Sequence, residues 1–327
     1  MKYIILIAAI FCWTCSFGQN VSELKLSNRQ SILSNRAFLV FPANAKNEAR
    51  PTDIMAAGPN GNRETRILLD IAKQRMVFFA KELFVTSQKD LLKQVSNQEG
   101  HSATNKVLTN KEGLLTVLST PGSCDTTEDA ILMNKLYVRC SDNSVFMIST
   151  YINPEGLRNK KEFQELSERV FSTITKGDRL LNLKSRTESF PIFNGKKKFT
   201  ISLPTGYAVT KDKSFDFEVL RIQKIKDIAD TNWLGLTIYT GDHPSYFYGD
   251  YGFEEDQAEN VNGRFLGKNV EWLYFKKFNG TLYLKEQEIP CDNIEKGLIV
   301  HIAMEGNKTS AIKELTDLVE NIRLTEK

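Results

Sequence analysis

The sequence predicts an α+β fold built twice in one chain, each copy an antiparallel sheet with helices packed on it. Three observations lead there. A unit headed by cysteine occurs twice: CSDNSVFMISTYI (Cys140 to Ile152) and CDNIEKGLIVHIAM (Cys291 to Met304) each run from a polar Cys/Asp/Asn turn into an apolar strand. An amphipathic helix closes each unit, with Phe163, Leu166, Val170 and Ile174 in one copy and Ile312, Leu315, Val319 and Ile322 in the other, both stripes at helical period. The first stripe residue falls 23 positions after Cys140 and 21 after Cys291. Both halves also open alike: AFLVFP (Ala37 to Pro42) and KFTISLP (Lys198 to Pro204) are short strands stopped by proline. Agreement of order and spacing at so long a period reads as duplication.

Taken in order, the chain begins with a secretion signal, residues 1–18. Lys2 supplies the positive end and Tyr3 to Trp13 an apolar core too short to span a bilayer. Ser16-Phe17-Gly18 places cleavage before Gln19. No later stretch is apolar and long enough to cross a membrane. The first domain covers 19–180. Val21 to Arg36 read as a polar lead-in of no clear structure. After the strand Ala37 to Phe41 comes a long loop through Pro59-Asn60-Gly61, then TRILLDI and RMVFFAKELFV as a hairpin turning near Ala72. Ser87 with Asp90 reads as the cap of a short helix whose Leu91, Leu92 and Val95 face inward. Strands around the Asn110 to Gly113 turn follow, then Ala130 to Arg139 and Val145 to Ile152, and Asn159 with Glu162 caps the closing helix. Residues 181–197 read as a linker, being polar with Pro191 and Asn194-Gly195. The second domain, 198–327, repeats the order, with Asn262-Gly263 and Asn279-Gly280 as tight turns.

Composition narrows the function classes. The chain has 327 residues, 41% hydrophobic and 25% charged, an ordinary globular balance with room for two domains. Its formal net charge of +3 drops by one when Lys2 leaves with the signal, too weak a charge to imply nucleic acid. Lys196-Lys197-Lys198 reads as a solvated edge. Three cysteines follow the signal. Cys124 and Cys140 flank one hairpin and form a candidate disulfide, which would add about 3 kcal/mol. The matching positions of Cys140 and Cys291 in the repeat argue instead for buried apolar roles. No Cys-x-x-Cys or close histidine pair offers a metal site, and no cofactor fingerprint, phosphate loop or nucleophile elbow occurs. His101, His243 and His301 are far apart, and His301 reads as a sheet residue with a satisfied ring.

One stretch stands out where the two halves diverge: YTGDHPSYFYGDYGFEED, Tyr239 to Asp256. It interleaves Tyr246, Phe247, Tyr248 and Tyr251 with glycines and with the acids Asp242 and Asp250 beside His243. Aromatics on such a loop can hold a ligand or a protein partner at low entropic cost, or pack the loop onto its own sheet. The acids do not follow the spacing of a calcium-binding EF-hand.

The order of a strand ending FP or LP, a set of antiparallel strands, a late strand, a polar loop and a closing helix resembles the PsbP/DcrB-like fold in both halves. That resemblance implies a non-enzymatic protein binding partners or small ligands, and it carries no catalytic residues. The expectation is therefore a secreted or periplasmic non-catalytic binding or accessory protein. Its partner, a protein or small ligand at the cell envelope, is unknown. The alternatives are an envelope hydrolase using Asp242 or Asp250 with His243, and a purely structural envelope component.

Overall fold

Alternation of inward and outward residues shapes the outer strands of this chain, while central strands such as Ser144–Ile152 and Ile299–Gly306 are buried on both faces. In Gln74–Thr86, for example, Met76, Phe78 and Ala80 are buried while their neighbours face out, the two-residue period of a strand. The computed structural model describes residues 20–48, 64–111, 113–122, 130–193, 195–213, 216–277 and 280–326. The first half contains β1 (Leu26–Ile32), β2 (Ala37–Pro42), β3 (Lys46–Asn47), β4 (Glu64–Ile71) and β5 (Gln74–Thr86). Then come α1 (Leu91–Glu99), β6 (Thr104–Lys111), β7 (Leu114–Thr120), β8 (Ile131–Arg139), β9 (Ser144–Ile152), α2 (Lys160–Ser172) and β10 (Thr175–Lys176). The second contains β11 (Arg186–Pro191), β12 (Lys197–Leu203), β13 (Tyr207–Lys213), β14 (Phe217–Lys224), β15 (Lys226–Asp227) and β16 (Leu234–Gly241). It ends with β17 (Glu259–Phe265), β18 (Lys268–Lys276), β19 (Tyr283–Pro290), β20 (Ile299–Gly306), α3 (Thr309–Glu320) and β21 (Arg323–Glu326).

The fold class departs from the α+β expectation. Among the described residues the protein is mostly β, 52% strand against 17% helix, in four antiparallel sheets, so an α+β domain with packed helices is not what forms. The reason lies in segments whose polarity hid strands. β1 lies in the supposed lead-in and β11 in the supposed linker. Both flank small sheets, β1-β2-β10 and β11-β12-β21, with few inward side chains, so alternation is faint in their sequences. Two expected caps also differ. Asp90, not Ser87, caps α1 by accepting from the Lys93 N–H, and the Asn159 side chain donates to Gln74 instead of capping α2. Asn262-Gly263 is not a turn but lies inside β17. A Cβ on Gly263 would sit 2.7 Å from the Trp272 indole nitrogen, so the glycine serves close packing between strands.

The two halves share one topology. The larger sheets run β3-β4-β5-β9-β8-β7-β6 and β13-β14-β16-β20-β19-β18-β17, the same order position by position. The short β15 adds a parallel bridge from the second half to β5 of the first. Registers match too. The Cys140 N–H bonds Ser144 and the Cys291 N–H bonds Leu298, so β8 and β9 correspond to β19 and β20 position by position from the cysteine loops as far as the bulge at Met133 of β8.

Each large sheet is covered on both faces. On one lie the three-stranded sheet and the closing helix: Phe163, Leu166 and Val170 of α2 meet Phe78, Phe146 and Ile148, while Ile312, Leu315 and Val319 of α3 meet Val300, Ile302 and Met304. On the other, Leu91 and Val95 of α1 cover Val117, Tyr137 and Val145 in the first half. In the second half that face carries no helix, and the segment between β16 and β17 covers it instead.

Candidate functional site

The segment singled out in the sequence is this cover. Between Gly241 and Glu259 the chain crosses the sheet as a strap with one short helical turn at Glu255–Gln257. Phe253 is buried, and Phe247, Tyr248 and Tyr251 pack half-buried against Phe275, Leu284 and Ala303. The rings interlock: Tyr248 stacks on Phe275, and Tyr246 and Phe247 stand edge-on to the His301 ring at 5.5 and 5.1 Å. Aromatic pairs at such spacings add to the energy of simple burial. The acids Asp242 and Asp250 and the imidazole of His243 point outward and are exposed. Among the described residues no carboxylate lies within ion-pair distance of the His243 ring.

Beneath the strap lies a buried polar platform that sequence reading missed. Glu286 of β19 and His301 of β20 are 0% and 2% exposed, and His301 Nε2 lies 2.9 Å from Glu286 Oε2. The same carboxylate accepts the backbone N–H of Phe247 at 2.9 Å and of Tyr248 at 2.8 Å. One buried carboxylate thus satisfies three donors, two of them from the strap's main chain. The Tyr251 hydroxyl donates to Glu305, and the Tyr246 hydroxyl to Gln287 at 2.7 Å. Alternation on β19 and β20 explains the placement. Glu286 and Glu288, and His301, Ala303 and Glu305, face the strap, while Lys285, Ile302 and Met304 face α3; the Gln287 side chain reaches the strap's Tyr246.

Burial pushes the Glu305 carboxyl up to about 7 despite the Tyr251 hydrogen bond and the Arg221 charge, which favour ionisation; nearby Glu286 adds to the rise. Its unfolded value is near 4.5. A group whose folded pKa is raised contributes stability fully below pH 4.5 and loses it as pH climbs towards 7. Glu305→Gln keeps an acceptor for Tyr251 and cannot ionise. Relative to the parent, this variant should therefore gain up to about 3 kcal/mol between acid and neutral pH. Urea unfolding of both proteins across that window measures it; parallel pH curves would refute the assignment.

The first half has a matching clamp of opposite polarity. There the covering helix supplies the acid: Glu99 of α1 accepts from Lys135 at 2.8 Å and from the Tyr137 hydroxyl. Lys135 occupies the register position of Glu286, and Met147 that of His301. The opposite faces agree as well, where Asn134 donates to Ser167 of α2 at 2.5 Å and Lys285 donates to Thr316 of α3 at 3.2 Å. Sequence patterning flagged the strap through its aromatics. It could not flag Glu286, whose neighbours Lys285, Gln287 and Glu288 make KEQE look like a solvated run.

Cys140 and Cys291 are buried free thiols, each pushed up to about 11 by burial, and Cys124 lies outside the described residues. Residues 1–19 with the expected signal and its cleavage site also lie outside them. Among the described residues no group of three His, Cys, Asp or Glu is placed to hold a metal ion, and no helix is long and apolar enough to cross a membrane. No protein-family model, curated protein or solved structure matches the chain, so nothing in these comparisons identifies the PsbP/DcrB-like resemblance.

Proposed function

We propose that this is a secreted or periplasmic, non-catalytic binding protein whose partner-facing element is the strap of the second half, and whose partner presents a basic surface. The observation that supports the reading is the contrast between the two covers. The halves share strand order and register, yet where the first carries a plain helix the second carries an aromatic strap anchored from below. Anchoring pre-orders the main chain, which lowers the entropic cost of binding. The outer side of the strap presents the half-exposed Tyr246 and Tyr248 rings, 5.5 Å apart, amid exposed Asp242, Asp250, Glu254, Glu255 and Asp256. From Trp233 to Gly263 the sequence contains no lysine or arginine, in a chain whose overall charge is positive. Such a local field favours a cationic partner and speeds its encounter.

Asp242→Asn with Asp250→Asn and Asp256→Asn tests this without touching the anchoring bonds. The variant should keep the parent's melting temperature and lose capture of its partner from an envelope extract at low salt. Parent binding should also weaken as salt rises. Equal capture by parent and variant would remove the strap's acids from the interface.

A further inference from the structure

At the far end of the second half the β17–β18 hairpin tip, the loop between β19 and β20, the last turn of α3 and the start of β21 enclose an open groove of about 860 Å³. That is within the range of small-molecule sites, about 300–1,000 Å³. Leu266, Val270, Ile289, Ile294 and Leu324 line it half-buried and continuous with the core beneath α3. Arg264, Lys268 and Arg323 stand exposed around it.

The first half shows how this place looks when closed. Gly113 and Gly267 hold the same register position at their hairpin tips, both with positive φ. A Cβ on Gly113 would meet the Ser141 Cβ at 3.3 Å, so that tip rests on the cysteine loop; around Gly267 there is nothing within 4 Å. The second cysteine loop is also longer, running from Cys291 to Leu298 against Cys140 to Asn143, and its extra length brings Ile294 to the groove wall. The groove is thus a departure of one copy from the other.

The charges at the groove are not balanced. Glu320 uses a carboxylate oxygen to accept the backbone N–H of Arg264 at 3.2 Å, and the Arg323 side chain donates to the main-chain carbonyls of Glu320 and Ile322, both at 3.1 Å. Asp317 is the other acid on the lining. Among the described residues no carboxylate lies within ion-pair distance of the Arg264, Lys268 or Arg323 side chains. An apolar trough rimmed by unpaired cations matches an apolar body with an anionic end.

We propose that the groove binds a single-chain amphiphile with a carboxylate head, of the fatty-acid class. The chain lies along Val270, Ile289, Ile294 and Leu324, and the head meets Arg264 and Lys268. The site is separate from the strap, on the opposite face of the sheet.

Calorimetric titration of the purified protein, with each probe held below its micelle concentration, tests this. The probes are a series of linear fatty carboxylates, the matching fatty alcohols, and acetate and inorganic phosphate as heads without tails. Saturable carboxylate binding should strengthen about tenfold for every two methylenes added. Arg264→Glu with Lys268→Glu should weaken it about tenfold or more while leaving alcohol binding and melting temperature unchanged. Ile294→Asp should abolish binding of both chains. The proposal fails if no chain saturates, or if phosphate binds as well as the long carboxylates. It fails equally if Ile294→Asp binds like the parent.

Discussion

Glu286→Ala should cost this protein about 3–5 kcal/mol, because one deletion strands the Phe247 and Tyr248 N–H groups and the His301 ring at a site that is closed to water. Each orphaned buried donor costs about 1–3 kcal/mol, and relaxation of the strap recovers part of the sum. The loss should be local as well as global. Amide exchange at Phe247 and Tyr248 should accelerate far more than exchange in α2, which packs the other half. Chemical denaturation with residue-resolved exchange measures both. A loss below about 1 kcal/mol with protection intact would show that ring packing alone holds the strap, since a neutral effect is what replacing an unimportant acceptor gives.

Arg36→Met should cost a similar amount, about 3–5 kcal/mol, by a different route. Arg36 is buried, with Nε 3.1 Å from the buried Glu82 carboxylate and Nη1 3.6 Å from Asp142. It also donates to the Ser144 hydroxyl at 2.5 Å and to the Arg179 carbonyl at 3.3 Å. It therefore joins the start of β2, the end of β5, the first cysteine loop and the chain leaving β10. Removing the cation leaves the Glu82 charge to face an apolar neighbour, and that mechanism predicts partial rescue. Arg36→Met with Glu82→Leu should recover most of the loss, since well-packed apolar replacements of buried ion pairs are often neutral. A double-mutant cycle by urea unfolding reads the coupling. If the double variant is less stable than the single, the destabilisation comes from lost packing or from the Ser144 and Arg179 bonds.

These two clusters show where sequence reading reaches its limit. The second half's clamp rests on Glu286, whose sequence neighbours are charged or polar on both sides. In a single sequence a buried acid on an alternating strand cannot be told from an exposed one, because period two marks faces and not which face is covered. Arg36 ends a stretch that read as polar lead-in, and its partners are 46 to 143 positions away. His301 was legible as a satisfied sheet residue, because it sits inside the apolar run Leu298 to Met304, which reads as a strand. Its partner was not, being 15 positions back across a hairpin. The strap itself was visible in composition, since five tyrosines and phenylalanines among glycines and acids is an unusual local mixture. Composition could not decide how much of it is packed. The rings of Phe247 and Phe253 belong to the core of the second half, and only the Tyr246–Tyr248 side remains open.

The amino-acid sequence by itself determined the duplication signals: the paired cysteine turns, the proline-stopped strands and the two closing helices with their apolar stripes. These depend on local periodicity, which is written in consecutive residues. Tertiary structure alone decided that the balance falls to β, because polar edge strands such as β1 and β11 exist only through their partners' hydrogen bonds. It also decided that one sheet face takes a helix in the first copy and a strap in the second. The residues that settle this choice, Glu99 with Tyr137 and Glu286 with His301, meet across long separations that no local pattern records.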